Sequence, residues 1–124
     1  MKILHIDTNH PSLIEQLASA GFENHEDYSS SKSDIEQKIN KYDGIVIRSR
    51  FTIDKSFLKK ATKLKFIARV GAGLENIDCE FALTKKIELI DKNKTKYLKK
   101  DILVVLIKIK EEEKKSNKKL WTVS

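Results

Sequence analysis

The chain has 124 residues, 40% of them hydrophobic and 35% charged, a length and balance that suit one soluble domain with a single core. The formal net charge is +7, yet residues 1–91 carry 11 Lys, 3 Arg and 14 acidic residues, which cancel, so the whole excess belongs to residues 92–124. One cysteine, Cys79, excludes an internal disulfide and a cysteine metal cluster, and the longest apolar run, residues 102–107, is far too short to span a bilayer.

Met1-Lys2 leads directly into Ile3-Leu4-His5-Ile6-Asp7, a short strand pattern interrupted by a polar residue, which is no secretory leader and points to a cytoplasmic protein. Residues 11–20 follow as a helix, with Pro11 suited to its first turn and Leu13, Ile14, Leu17 and Ala18 at helical spacing; Gly21 ends it. Residues 22–24 form a weak second strand. Ser29, Ser30, Ser31 and Ser33 then supply capping chemistry for a helix over about residues 34–40, with Ile35 and Ile39 four apart.

Gly44-Ile45-Val46-Ile47 is a β-branched run bounded by polar residues and predicts a buried strand. Asp54 can cap a helix carrying Phe57, Leu58 and Ala61. Phe66-Ile67-Ala68 predicts a further strand ending at Gly71. Residues 76–85 carry a helical pattern, with Ile77, Phe81 and Ala82 on one face, and residues 87–90 are a fifth strand. Strands alternating with helices in this way predict an α/β fold: a five-stranded parallel sheet with helices on both faces.

After Asp91 the texture changes. Residues 92–100 are lysine-dense, residues 102–109 are an apolar segment readable as strand or buried helix, and residues 110–119 are a charged run. The expected organisation is therefore a domain over residues 1–91 and a divergent, Lys-rich C-terminal tail over residues 92–124. That tail has one Trp and no interleaved stacking residues, which disfavours nucleic acid as a partner.

Only three arginines occur against 22 lysines, and all three fall in Arg48-Ser49-Arg50 and at Arg69. Guanidinium offers a rigid fork matched to carboxylate and phosphate oxygens. Both segments end predicted strands, and parallel sheets bind ligands beyond the carboxyl ends of their strands. This points to a small anionic ligand; surface ion pairs or chance clustering are the plain alternative. Gly71-Ala72-Gly73 between a strand and a helix admits two further readings. As a dinucleotide loop it has a candidate ribose acid in Asp91, but Asn76 replaces the third glycine and three βα units precede it. As an anion loop, the amides of Ala72 and Gly73 would hold a carboxylate beside Arg48 and Arg69.

The run Gly44-Ile45-Val46-Ile47-Arg48-Ser49-Arg50, followed by Leu64-Lys65-Phe66-Ile67-Ala68-Arg69-Val70-Gly71-Ala72-Gly73-Leu74-Glu75-Asn76-Ile77-Asp78, resembles the substrate-binding domain of the D-isomer-specific 2-hydroxyacid dehydrogenases across residues 1–90. The resemblance implies a flavodoxin-like five-stranded domain. It implies that Arg48, Ser49 and Arg69 face the phosphate or carboxylate of a phosphoglycerate-like 2-hydroxy acid, with the Ala72 and Gly73 amides on the carboxylate. In the family the fifth strand runs into an Asn-Ala-Pro turn and a nucleotide-binding domain; here it runs into Asp91-Lys92-Asn93-Lys94. The family's glycine-rich nucleotide loop and its catalytic Arg, Glu and His have no match in this chain. His5, His10 and His25 read as structural or solvated residues.

No catalytic, cofactor-binding or metal-binding residue is therefore expected, and NAD is implied only for the full-length family. The resulting expectation is a truncated or split NAD-dependent 2-hydroxyacid oxidoreductase, with this chain supplying substrate-anion binding. Expected partners are a small anionic 2-hydroxy acid, a separate nucleotide-binding subunit and a second copy of the chain, and no membrane. The alternative is a non-enzymatic flavodoxin-like module that binds a small anion or regulates.

Overall fold

A computed structural model describes residues 1–9, 11–70 and 76–91. Five strands and four helices alternate along them: β1 (Lys2–His5), α1 (Pro11–Ser19), β2 (Glu23–Glu26), α2 (Lys32–Lys38), β3 (Gly44–Ile47), α3 (Lys55–Lys60), β4 (Phe66–Arg69), α4 (Cys79–Thr84) and β5 (Glu88–Asp91). A 3-10 turn, Ile39–Lys41, extends α2. The strands form one sheet in the order β2-β1-β3-β4-β5, and every pairing is parallel. The expected α/β architecture is what the chain adopts.

The alternation of side chains along each strand divides the core between the two faces. Leu4, Ile45, Ile47 and Ile67 point to one face, where Ile35, Ile39, Phe57, Leu58 and Ala82 of α2, the 3-10 turn, α3 and α4 pack on them. Ile3, Val46, Phe66, Ala68 and Ile90 point to the other, toward Leu13 and Leu17 of α1. Strands β3 and β4 are buried at all four positions, which is why their sequences read as unbroken apolar runs.

Short polar side chains start the helices as their positions require. Ser31 accepts a hydrogen bond from the Asp34 amide at 3.1 Å, and Asp54 from the Phe57 amide at 2.9 Å. The fourth helix begins later than its apolar spacing suggests. Ile77 forms a parallel bridge with Ile53, which holds it extended, so Asp78 becomes the cap and its carboxylate oxygen accepts a hydrogen bond from the Phe81 amide at 3.1 Å. Gly21 ends α1 with a φ of 92°, a conformation open to glycine at no steric cost.

Gly44 meets a different demand. The ring of Phe66 on the neighbouring strand lies over its bare backbone, and a Cβ there would sit 2.0 Å from the ring. Phe66 is fully buried and has no room to retreat. Gly44→Ala should therefore lower stability by about 1–3 kcal/mol through overpacking, as read from urea denaturation at equilibrium.

Candidate functional site at the strand carboxyl ends

All five strands run the same way, so the residues that follow them gather along one edge of the sheet. Asp7 follows β1, Asp27 follows β2, residues 48–50 follow β3, and Arg69 closes β4. Ile47 of β3 is in register with Arg69 of β4, so Arg48 stands one residue beyond that pair on the adjacent strand end. Neighbouring strands are about 4.8 Å apart. The parallel register therefore brings two of the three arginine positions side by side.

Their environments differ. Arg48 and Ser49 are exposed, whereas Arg69 is 7% exposed and lies by alternation on the same face as Ile67. The third arginine has a separate task. Arg50 donates through Nη1 to the carbonyls of Ile6 at 3.0 Å and Asp27 at 2.8 Å, and through Nη2 to the carbonyl of Ser30. Its guanidinium also stands 4.6 Å from the Phe51 ring centroid. These loop carbonyls have no ladder partner, and a five-donor fork satisfies three of them at once. Arg50, which is not among the expected ligand residues, ties the ends of β1, β2 and β3 together.

Asp7 provides the matching acceptor. Its Oδ2 accepts from the amides of Arg48 at 2.6 Å, Ser49 at 3.1 Å and Arg50 at 3.2 Å. The post-β3 loop is also laced to the segment after β4: Asn76 Nδ2 donates to the Phe51 carbonyl at 2.9 Å, and the Ile53 amide donates to the Asn76 carbonyl at 2.7 Å. Ala72 and Gly73, the expected amide donors, lie outside the described residues, as do His10 and the expected tail over residues 92–124.

Asp27 anchors the loop after β2. It accepts from the Ser29 and Ser30 amides, the Ser30 hydroxyl and the Lys38 ammonium. The Lys38 ammonium, and then the Ser30 hydroxyl, hold its carboxyl well below the ordinary carboxylate value. A hollow of about 370 Å³ opens beside these loops, but Glu15 and Glu26 line it, and their charge is wrong for an anion.

His5 and His25 are committed elsewhere. His5 is buried, donates through Nε2 to Asn24 Oδ1 at 2.8 Å, and has its pKa lowered chiefly by that burial. His25 lies 2.8 Å from the Tyr42 hydroxyl and 2.9 Å from the Glu23 carboxylate. Cys79 packs against the larger core cluster at the start of α4. Among the described residues no cluster of His, Cys, Asp and Glu could hold a metal ion, and no helix is long and apolar enough to cross a membrane.

Such a sheet, with its two arginine segments at neighbouring strand ends, can be compared with known proteins. The family model for the catalytic domain of D-isomer specific 2-hydroxyacid dehydrogenases matches residues 3–102. The chain belongs to this family. It is 35% identical over 91 residues to D-3-phosphoglycerate dehydrogenase of Methanocaldococcus jannaschii and 29% identical over 91 residues to that of Archaeoglobus fulgidus, covering 73% of this chain in each case. It spans 17% of the length of either relative. The crystal structure of NAD+-bound 3-phosphoglycerate dehydrogenase of Entamoeba histolytica superposes with a TM-score of 0.66 at 32% identity, over 74% of this chain and 32% of that one.

The Gly71-Ala72-Gly73 loop weighed for a dinucleotide lies outside the described residues, and the described turns after β1 and β3 offer no such loop. The turn after β1 holds Asp7-Thr8-Asn9 with no glycine, and the amides after β3 are already taken by the Asp7 carboxylate, where a pyrophosphate needs bare amides.

Sequence reasoning passed over Asp7. An acid placed immediately after the first strand of a parallel sheet was the available signal, because that position opens onto the loops of both neighbouring strands. Asp27 gives the site a measurable acid sensitivity. A carboxyl whose folded pKa is depressed stabilises the fold fully above its unfolded value of 3.8 and loses that contribution as pH falls below it. Asp27→Asn should lower the melting temperature at neutral pH. The gap from the parent protein should narrow as thermal melts are taken from about pH 6 toward about pH 3. His5 loses stability over a higher pH range in both proteins, and so leaves the difference intact.

Proposed function

We propose that this chain supplies the substrate-anion-binding part of a truncated or split NAD-dependent 2-hydroxyacid oxidoreductase of the phosphoglycerate dehydrogenase type. The observation that carries this reading is the placement of Arg48 and Arg69 on adjacent strand ends in a chain whose curated relatives are D-3-phosphoglycerate dehydrogenases. Arg48 and Ser49 would meet the phosphate or carboxylate of a phosphoglycerate-like acid from the solvent side. Arg69 would supply positive charge from the buried side, and the amides of Ala72 and Gly73 would hold the carboxylate. The domain would end near residue 91, and the Lys-rich residues 92–124 would form a divergent tail.

NAD, when bound by the complete enzyme, accepts hydride from the substrate's C2. The residues of this chain would bind and orient the acid for that step, and the nucleotide site would belong to a separate subunit. The chain is expected to act in the cytoplasm and to bind neither a membrane nor nucleic acid. The second reading, a non-enzymatic flavodoxin-like module that binds a small anion, shares the pocket and differs in lacking any dehydrogenase partner.

Calorimetric titration of the full chain decides between binding and none. D-3-phosphoglycerate should bind, NADH should not, and Arg48→Ala should weaken phosphoglycerate binding about tenfold, the scale of one charge-assisted pair. Turnover of phosphoglycerate with NAD by the chain alone would refute the assignment of the cofactor site to another subunit. A domain that in its relatives adjoins a second one leaves apolar surface to be covered, so the chain should self-associate. Light scattering at rising concentration should report species larger than a monomer.

A further inference from the structure

Three consecutive backbone amides after β3 form the kind of concave donor cluster that binds anions. In this chain they hold an internal anion: Asp7 Oδ2 takes the amides of Arg48, Ser49 and Arg50 at 2.6, 3.1 and 3.2 Å. The same segment is gripped from its other chemical pole. Arg50 reaches back to the carbonyls of Ile6, Asp27 and Ser30. A carboxylate thus fixes the donors of the loop while a guanidinium links the loop to the two strand ends beside it. The side chains of Arg48 and Ser49 take no part in this arrangement, and both residues are exposed.

This combination has a consequence for recognition. Amides already bonded to a carboxylate are not available to a ligand, so an anion arriving after β3 would meet the Arg48 guanidinium and the Ser49 hydroxyl. Both side chains spring from a segment whose backbone is held before the ligand arrives, which lowers the ordering cost of binding. Asp7 places a negative charge near the site, a cost to anion binding that only its hold on the loop would offset. We propose that Asp7 is the positioning residue of the anion site: by fixing amides 48–50 it sets the Arg48 fork and the Ser49 hydroxyl for a phosphate or carboxylate. This inference rests on the anion-binding reading above and adds a residue that touches no ligand.

The test uses the full chain, D-3-phosphoglycerate as probe, and the variants Asp7→Asn and Asp7→Ala. Calorimetry reads affinity, thermal melting reads stability, and amide hydrogen exchange by NMR reads residues 48–50. Asp7→Ala should bind about tenfold more weakly than the parent, and Asp7→Asn should fall between them, because its amide oxygen accepts without charge. Exchange at amides 48–50 should quicken in both variants. A purely structural Asp7 would lower the melting temperature yet leave the affinity of the folded protein unchanged. Parental or tighter binding by Asp7→Asn, with faster exchange at 48–50, overturns the proposal. If Asp7→Ala does not fold, Asp7→Asn decides alone. A parent chain that fails to bind phosphoglycerate refutes the anion-binding reading itself and the inference with it, whereas parental binding that Asp7→Asn leaves untouched refutes only the positioning role.

Discussion

A carboxylate at the end of one strand, holding the amides that leave its neighbour, is the interaction on which the geometry of this sheet edge depends. Parallel strands leave their last residues without ladder partners, because each chain turns away toward a helix. The polar groups freed there must be satisfied by side chains, since unpaired buried amides and carbonyls are costly. Asp7 answers for the amides after β3, and Arg50 answers for carbonyls after β1 and β2. The two residues are complementary in charge and in hydrogen-bond role. Between them they turn three separate strand ends into one structured rim.

That rim lies at the carboxyl ends of the strands, the edge at which open parallel sheets bind ligands. The order β2-β1-β3-β4-β5 places β1 between strands reached by connections on opposite faces, so the segments after β1 and β3 meet at the point where the strand order reverses. The core on each side keeps these strand ends in place: Ile45 and Ile47 pack toward α2, α3 and α4, and Val46 packs toward α1. Membership of the 2-hydroxyacid dehydrogenase family follows from the match across residues 3–102.

Much of this was legible in the residues. The runs Gly44-Ile45-Val46-Ile47 and Phe66-Ile67-Ala68 have the β-branched, doubly buried texture of central parallel strands, and the Asp54 cap is a local signal with a local cause. What escaped notice depends on contacts between distant segments. Residues 76–77 carry apolar spacing that suits a helix, but pairing with Ile53 overrides it, and no local pattern encodes that partner. Arg48 and Arg50 are two residues apart and chemically identical. Only the carbonyls of Ile6, Asp27 and Ser30 separate the one that is held from the one that is exposed. Arginine scarcity picked out residues at adjacent strand ends and could not assign roles among them.

The Asp7 contacts cross 41 to 43 residues of chain. Closing a loop of that length costs entropy that no short-range contact repays, so the rim cannot assemble before β1 and β3 have found each other. The rim is therefore a late product of the folding order, slaved to the pairing of β1 with β3. A substitution far from the edge that loosens that pairing would disorder the rim before it unfolds the chain, a vulnerability that a rim made from one contiguous loop would escape.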